Sequence, residues 1–196
     1  PGTDISGYIP VSRGGGTGTG STTGFICDGA AQFPAGGDCR ADNPELVTDG
    51  DEATSGILTV PLGLLGTTTG AASFLVDLGQ TVQPGGNTVA AFEVEDISSL
   101  VDAGVLRALT INTYAAGELV ETFDGSGSLL GLLDVDLVGQ QLDTSGRFLA
   151  GGVPTAAFDA IEIILTATVL TADVDSLLGL ENSLLVHDVV TEAMAP

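Results

Sequence analysis

His187 is the chain's single histidine, and it lies between Val186 and Asp188 in an apolar run. A general base at that place needs a serine or cysteine partner, and no pattern in the sequence marks one. It reads as a satisfied strand histidine. Carboxylates are far more abundant. Asp134/Asp136 and Asp173/Asp175 stand two positions apart, a spacing that puts both acids on one face of a strand and suits glycoside hydrolysis or metal binding. With 26 acids in the chain, such pairs arise by chance. A solvated acidic face that keeps a sheet edge from non-specific pairing explains them equally well. No enzyme is expected.

Cys27 and Cys39 sit 12 positions apart in a stretch rich in Gly, Pro and Ala. A metal site would need more ligands nearby, so a disulfide is expected, with two buried free thiols as the alternative. In the chain-entropy picture the bridge is worth roughly 3 kcal/mol, and it implies an oxidising compartment. Against the 26 acids stand four basic residues, Arg13, Arg40, Arg107 and Arg147, giving a net charge of -22 without a single lysine. That balance excludes the basic stripe of a nucleic-acid binder and electrostatic docking on an anionic membrane. It also excludes a lysine nucleophile, a Schiff base, a P-loop lysine and a Lys–Asn isopeptide bond. Tryptophan is absent, and Tyr8 and Tyr114 are the only tyrosines. Tyr114 falls in a predicted strand and is expected in the core. Arg40 is the one basic residue near the expected loop end, so an aromatic sugar platform looks poorly supplied.

These residues need a scaffold. The hydrophobic fraction of 43% is too high for a disordered acidic chain, so the chain is expected to fold. Glycine at 29 of 196 residues and aromatics at 5% point to many turns around an aliphatic core. No run reaches the ~20 apolar residues of a membrane span; the longest candidate, 160–170, reads as a strand. No signal peptide is visible at Pro1, so an export signal is expected either to have been removed or to lie outside this sequence. Predicted strands cover 56–61, 72–78, 88–94, 108–114, 118–123, 132–138, 147–151, 160–169 and 183–192. Several alternate strictly, as in Phe74-Leu-Val-Asp-Leu and Asp159-Ala-Ile-Glu-Ile-Ile, the mark of an antiparallel sheet with one wet face. One helical turn, capped by Asp96, is expected within 96–106. The fold class is all-β: an antiparallel two-sheet β-sandwich with an extended N-terminal arm.

The arm comprises residues 1–24, and the sandwich residues 25–196. Ile5, Tyr8, Ile9 and Val11 form a small apolar cluster before RGGGTGTGSTTG, residues 13–24. That glycine run matches a dinucleotide-binding loop only in its letters, because no strand leads into it and no helix follows. It reads as a linker.

NPELVTDGDEATSGILTVP, residues 43–61, resembles the opening of discoidin-like, galactose-binding-type β-sandwich modules of secreted bacterial surface proteins. FLVDLGQ at 74–80, the hairpin around LTINTY and GELVE, RFLAGGVPTAAFDAI at 147–161 and ENSLLVHDV at 181–189 continue the resemblance in order. It implies a jelly-roll of the galactose-binding type. It also implies one structural Ca2+, with Asp51 and Thr54 in the loop, Asp49 contributing a carbonyl or side chain, and Glu192 closing the set from the last strand. Calcium prefers such hard oxygens; an Asx-type turn without an ion is the alternative.

The function expected from these readings is structural. A secreted, cell-surface protein would polymerise with itself into an extracellular filament or coat, its arm adding a strand to a neighbouring copy. The alternative is a calcium-dependent adhesion or carbohydrate-binding module whose partner is a surface glycan.

Overall fold

The computed structural model describes residues 9–10, 21–25, 39–51, 53–61, 71–96, 109–124, 147–166 and 181–194. These build eleven strands: β1 (Ile9–Pro10), β2 (Ser21–Phe25), β3 (Arg40–Asp42), β4 (Gly56–Pro61), β5 (Ala71–Val82), β6 (Thr88–Asp96), β7 (Leu109–Ala115), β8 (Glu118–Asp124), β9 (Arg147–Gly152), β10 (Phe158–Thr166) and β11 (Glu181–Met194). They form two antiparallel sheets packed as a sandwich. One runs β3-β4-β11-β6-β9 with β1 added to β11, and the other runs β2-β5-β10-β7-β8. From β4 onward the chain changes sheet at every connection except the β7–β8 hairpin, the winding expected of a jelly roll.

Period-two patterning positions the two faces of each strand. In β5, Ala72, Phe74, Val76 and Leu78 are buried while Asp77 is exposed. In β10, Ile161, Ile163 and Leu165 fill the same layer. β-Branched and aromatic side chains fit such a half-buried pleat. β6 and β11 lie inside their sheet and are buried on both sides from Val89 to Val94 and from Val186 to Val190. The core is mostly aliphatic, as expected, and Phe74, Phe92, Phe123 and Phe158 are among its largest fully buried side chains. With no tryptophan in the chain, phenylalanine supplies the bulk that spans a layer about 10 Å thick.

Two short stretches of the arm join the sheets. Ser21–Phe25, assigned by composition to linker and domain start, pairs with Ser73–Asp77 of β5 as an edge strand. Ile9–Pro10 pairs with Ala193–Met194 of β11. Threonine and serine satisfy an edge ladder as readily as a linker, so composition alone does not separate the two. Ile5, Tyr8 and Val11 lie outside the described residues, as do the predicted strand 132–138 and most of the predicted helical turn, whose cap Asp96 ends β6. Among the described residues the one helical element is a 3-10 turn, Pro44–Val47, entered through Asn43 at φ 54°.

Candidate functional site

The loop expected to hold calcium runs from Asp49 to Thr54. Its Asp-Gly-Asp turn folds on itself: the Asp51 N–H donates to Asp49 Oδ1 at 2.8 Å and the Ala53 N–H to Asp51 Oδ1 at 3.0 Å. The Thr54 hydroxyl approaches both Asp49 Oδ2 and the Asp51 carbonyl at 2.8 Å. Glu192 does not join them; it sits on β11 opposite Thr88. The β11 residue that reaches the loop is His187, whose Nδ1 lies 3.0 Å from the Thr54 carbonyl. Among the described residues no three His, Cys, Asp or Glu side chains gather as a metal set.

His187 is 4% exposed, and its Nε2 faces Glu95 Oε2 at 3.1 Å. Both ring nitrogens are thus occupied, and the histidine ties the loop to β6. The contacts continue through Arg147, which lies 3.7 Å from Glu95 and 3.3 Å from Glu93, itself 1% exposed. A buried carboxylate is costly unless paired, and Arg147 on β9 supplies the partner. The acid pairs Asp134/Asp136 and Asp173/Asp175, together with Arg13, Arg107 and Cys27, lie outside the described residues. Cys39 is 7% exposed and packs with the core ahead of β3. Arg40 is exposed beside Asp42, at 3.9 Å.

The other sheet carries a second polar group that sequence reading did not assemble. Tyr114, expected in the core, projects from the outer face of β7, on the side opposite Leu109 and Ile111. Its hydroxyl donates to Glu162 Oε2 on β10 at 2.6 Å. The Ser73 hydroxyl on β5 donates to Glu162 Oε1 at 2.8 Å, and Asn112 Nδ2 lies 3.4 Å from both the phenol and the carboxylate. Thr122 on β8 donates to Asn112 Oδ1 at 2.9 Å. One connected network thus crosses four adjacent strands. Burial, then the hydrogen bond and charge of Glu162, raise the Tyr114 phenol above its usual 10.0, while Asn112 pulls the other way.

Beside this network an open hollow of about 580 Å³ is lined by Leu75, Asp77, Gln80, Thr81, Asp159 and Ala160, with glycine and alanine backbone of the β7–β8 turn at its rim. Local sequence explains its shape. β10 carries a bulge between Phe158 and Ala160, where the ladder to β5 slips, and a bulge re-aims the side chains around it. The β7–β8 hairpin turns through Ala116 at φ 52° and Gly117 at φ 81°, the two left-handed positions of a tight turn. Asp159 Oδ2 accepts the Ala116 N–H at 2.9 Å and fixes that turn. Asp77 Oδ1 accepts the Gly79 N–H at 2.8 Å. Each carboxylate is held by one backbone bond and keeps acceptor capacity for a ligand. Parity relative to Leu109 and Ile111 in LTINTYA, and relative to Ile161 and Ile163 in FDAIEIILT, was the signal that places Tyr114 and Glu162 outward.

No family model and no curated protein matches the chain. Among solved structures the chain is similar to the family 32 CBM from C. perfringens NanJ in complex with galactose, with 14% identity, TM-score 0.39, and 85% of this chain and 92% of that one covered. It is similar to a Streptococcus pneumoniae fucose binding module at 12% identity and TM-score 0.41, covering 86% of this chain and 93% of that one. A low affinity xylan binding module, CBM86, from Roseburia intestinalis shows 15% identity and TM-score 0.37, with 89% and 97% covered. At that level the likeness says nothing about what this chain binds.

Proposed function

We propose that the chain is an exported, non-catalytic glycan-binding sandwich, with the hollow beside Ala160 as the sugar's seat. The observation that carries the reading is the hollow itself: two backbone-anchored carboxylates, Asp77 and Asp159, face a small-residue floor next to an outward tyrosine. Anchored carboxylates accept hydrogen bonds from sugar hydroxyls without first paying to order themselves, and Leu75 offers an apolar patch. The described arginines, Arg40 and Arg147, belong to strands of the other sheet, so an anionic ligand would find no partner here among the described residues. Export would agree with a Cys27–Cys39 bridge. Among the described residues no helix is long and apolar enough to cross a membrane.

Self-assembly through the arm has no comparable support. The described parts of the arm, Ile9–Pro10 and Ser21–Phe25, pair within the chain's own sheets. Calorimetric titration of the full chain with neutral oligosaccharides tests the reading. Binding at a dissociation constant near or below ~1 mM, about -4 kcal/mol, is expected for such a shallow seat, and Asp159→Asn should weaken it. Absence of binding across a broad glycan panel at several millimolar would refute the reading.

A further inference from the structure

Tyr114 and Ala160 are direct cross-strand partners, and Ala160 in turn pairs with Asp77. Ala160 and Asp77 both line the hollow, and Tyr114 stands two strands from Asp77, with the small side chain of Ala160 between them. The phenol starts on β7 and ends at Glu162 on β10, two residues beyond Ala160. To make that bond the ring must run along the flank of Ala160, at the edge of the hollow. The hydroxyl is held from two sides, by Glu162 at 2.6 Å and by Asn112 at 3.4 Å. Glu162 is itself fixed from the far side by Ser73. An exposed tyrosine normally loses rotamer freedom when it binds; this one is ordered beforehand.

The geometry points to Tyr114 as a stacking platform beside the hollow, to Glu162 as the residue that positions it, and to a pyranose without negative charge as the ligand. This inference rests on the glycan reading above. A tyrosine ring presents a negative face, which attracts the C–H face of a sugar and repels a carboxylate. Asp77 and Asp159 add two negative charges at the same hollow, and the whole chain carries -22. Uronic acids and sulfated sugars are therefore disfavoured twice, at the site and by the field around it. A pyranose without negative charge satisfies all three features at once: hydroxyl or ammonium donors for the carboxylates, a C–H face for the ring, and no repulsion from the field.

The chain has no tryptophan and two tyrosines, so in a Tyr8→Phe background all tyrosine emission and absorbance comes from Tyr114. The experiment titrates that protein with galactobiose, cellobiose, xylobiose and mannobiose, and with galacturonate and glucosamine dimers, by calorimetry and tyrosine fluorescence in parallel. At least one neutral disaccharide should bind with a saturable change in emission. Tyr114→Ala should then weaken binding tenfold or more, with an unchanged circular dichroism spectrum. Tyr114→Phe keeps the ring but frees it, and should weaken binding by a few-fold. Glu162→Gln should give a similar loss and also lower the pH at which the phenol ionises, followed by ultraviolet absorbance; a residue with only a structural role would not move both. If a neutral sugar binds and Tyr114→Ala binds it as tightly, the stacking role is overturned while the glycan reading survives. If the galacturonate dimer binds more tightly than every other saccharide, the ligand class is overturned. If calorimetry detects no saccharide at all, the glycan reading itself falls, and this inference with it.

Discussion

Gly152→Ala tests how the two sheets are held together. Gly152 closes β9 in one sheet, and the ring of Phe123 comes from β8 in the other; Phe123 is fully buried. A Cβ at Gly152 would lie 2.3 Å from Phe123 Cδ1 and 2.6 Å from Cε1. Ordinary carbon contacts sit at about 3.5–4.0 Å, so the ring must retreat by more than ~1 Å in a core packed near crystal density. Overpacking of that kind costs about 1–3 kcal/mol. For a chain of this length each kcal/mol lowers the melting temperature by about 2–4 °C, so calorimetry should show a fall of roughly 3–10 °C. Phe123→Leu shortens the obstructing group. In the Gly152→Ala/Phe123→Leu double variant the combined loss should therefore be smaller than the sum of the single losses by ~1 kcal/mol or more. Equal stability of Gly152→Ala and the unaltered chain, or additivity within ~0.3 kcal/mol, would refute the packing argument. Gly151 has no such escape, since its Cβ would meet the Ala90 carbonyl oxygen at 2.0 Å, and Gly151→Ala should be the more damaging change.

Thr113 on β7 is buried, and its hydroxyl has no hydrogen-bond partner among the described residues. Thr113→Val keeps the shape and removes the orphan group, so urea titration should show a gain of about 1 kcal/mol. The folded-state value of the Tyr114 phenol is raised above 10.0, so its contribution to stability is fully present below pH ~10 and is lost as pH rises through that folded value. Denaturation midpoints should therefore fall more steeply at alkaline pH in the unaltered chain than in Tyr114→Phe. Glu121 accepts bonds from the Thr155 N–H at 2.9 Å, from the Thr155 hydroxyl and from the Ala156 N–H at 3.4 Å. Glu121→Ala should speed amide exchange at Thr155 and Ala156 and leave exchange in β6 unchanged. Reduction of a Cys27–Cys39 bridge should lower the melting temperature, and thiol counting without reductant should find none.

Sequence patterning carried most of the sandwich because parity is a strong signal wherever one face is dry. Buried and outward residues alternate in Phe74-Leu-Val-Asp-Leu and, past the bulge, from Ala160 to Thr166. Ser21–Phe25 was not legible as a strand, since an edge strand of serine, threonine and glycine has no apolar period to read. Tyr114 was misjudged for a different reason. An aromatic in a strand invites a core assignment, yet Tyr114 is five residues after Leu109 and three after Ile111, and so has the opposite parity. Its partner Glu162 lies 48 residues away in sequence, a pairing that only strand order in the sheet brings about. The loop around Asp49 and Thr54 was legible as a turn, but its link to β11 runs through His187 rather than Glu192. Spacing along a strand cannot say which residue faces a loop when a bulge, here between Val186 and Asp188, shifts the register.

The central claim is that a neutral sugar seats on the outer face of the five-stranded sheet beside Ala160. Backbone amide shifts of isotope-labelled protein, followed through a titration with the tightest neutral disaccharide, test it most directly. The account predicts saturable shifts confined to Leu75, Asp77, Gly79, Tyr114, Ala116, Gly117 and Ala160, the residues at and beside the hollow. Shifts centred instead on Asp49, Thr54 and His187, at the loop across the sandwich, would contradict it.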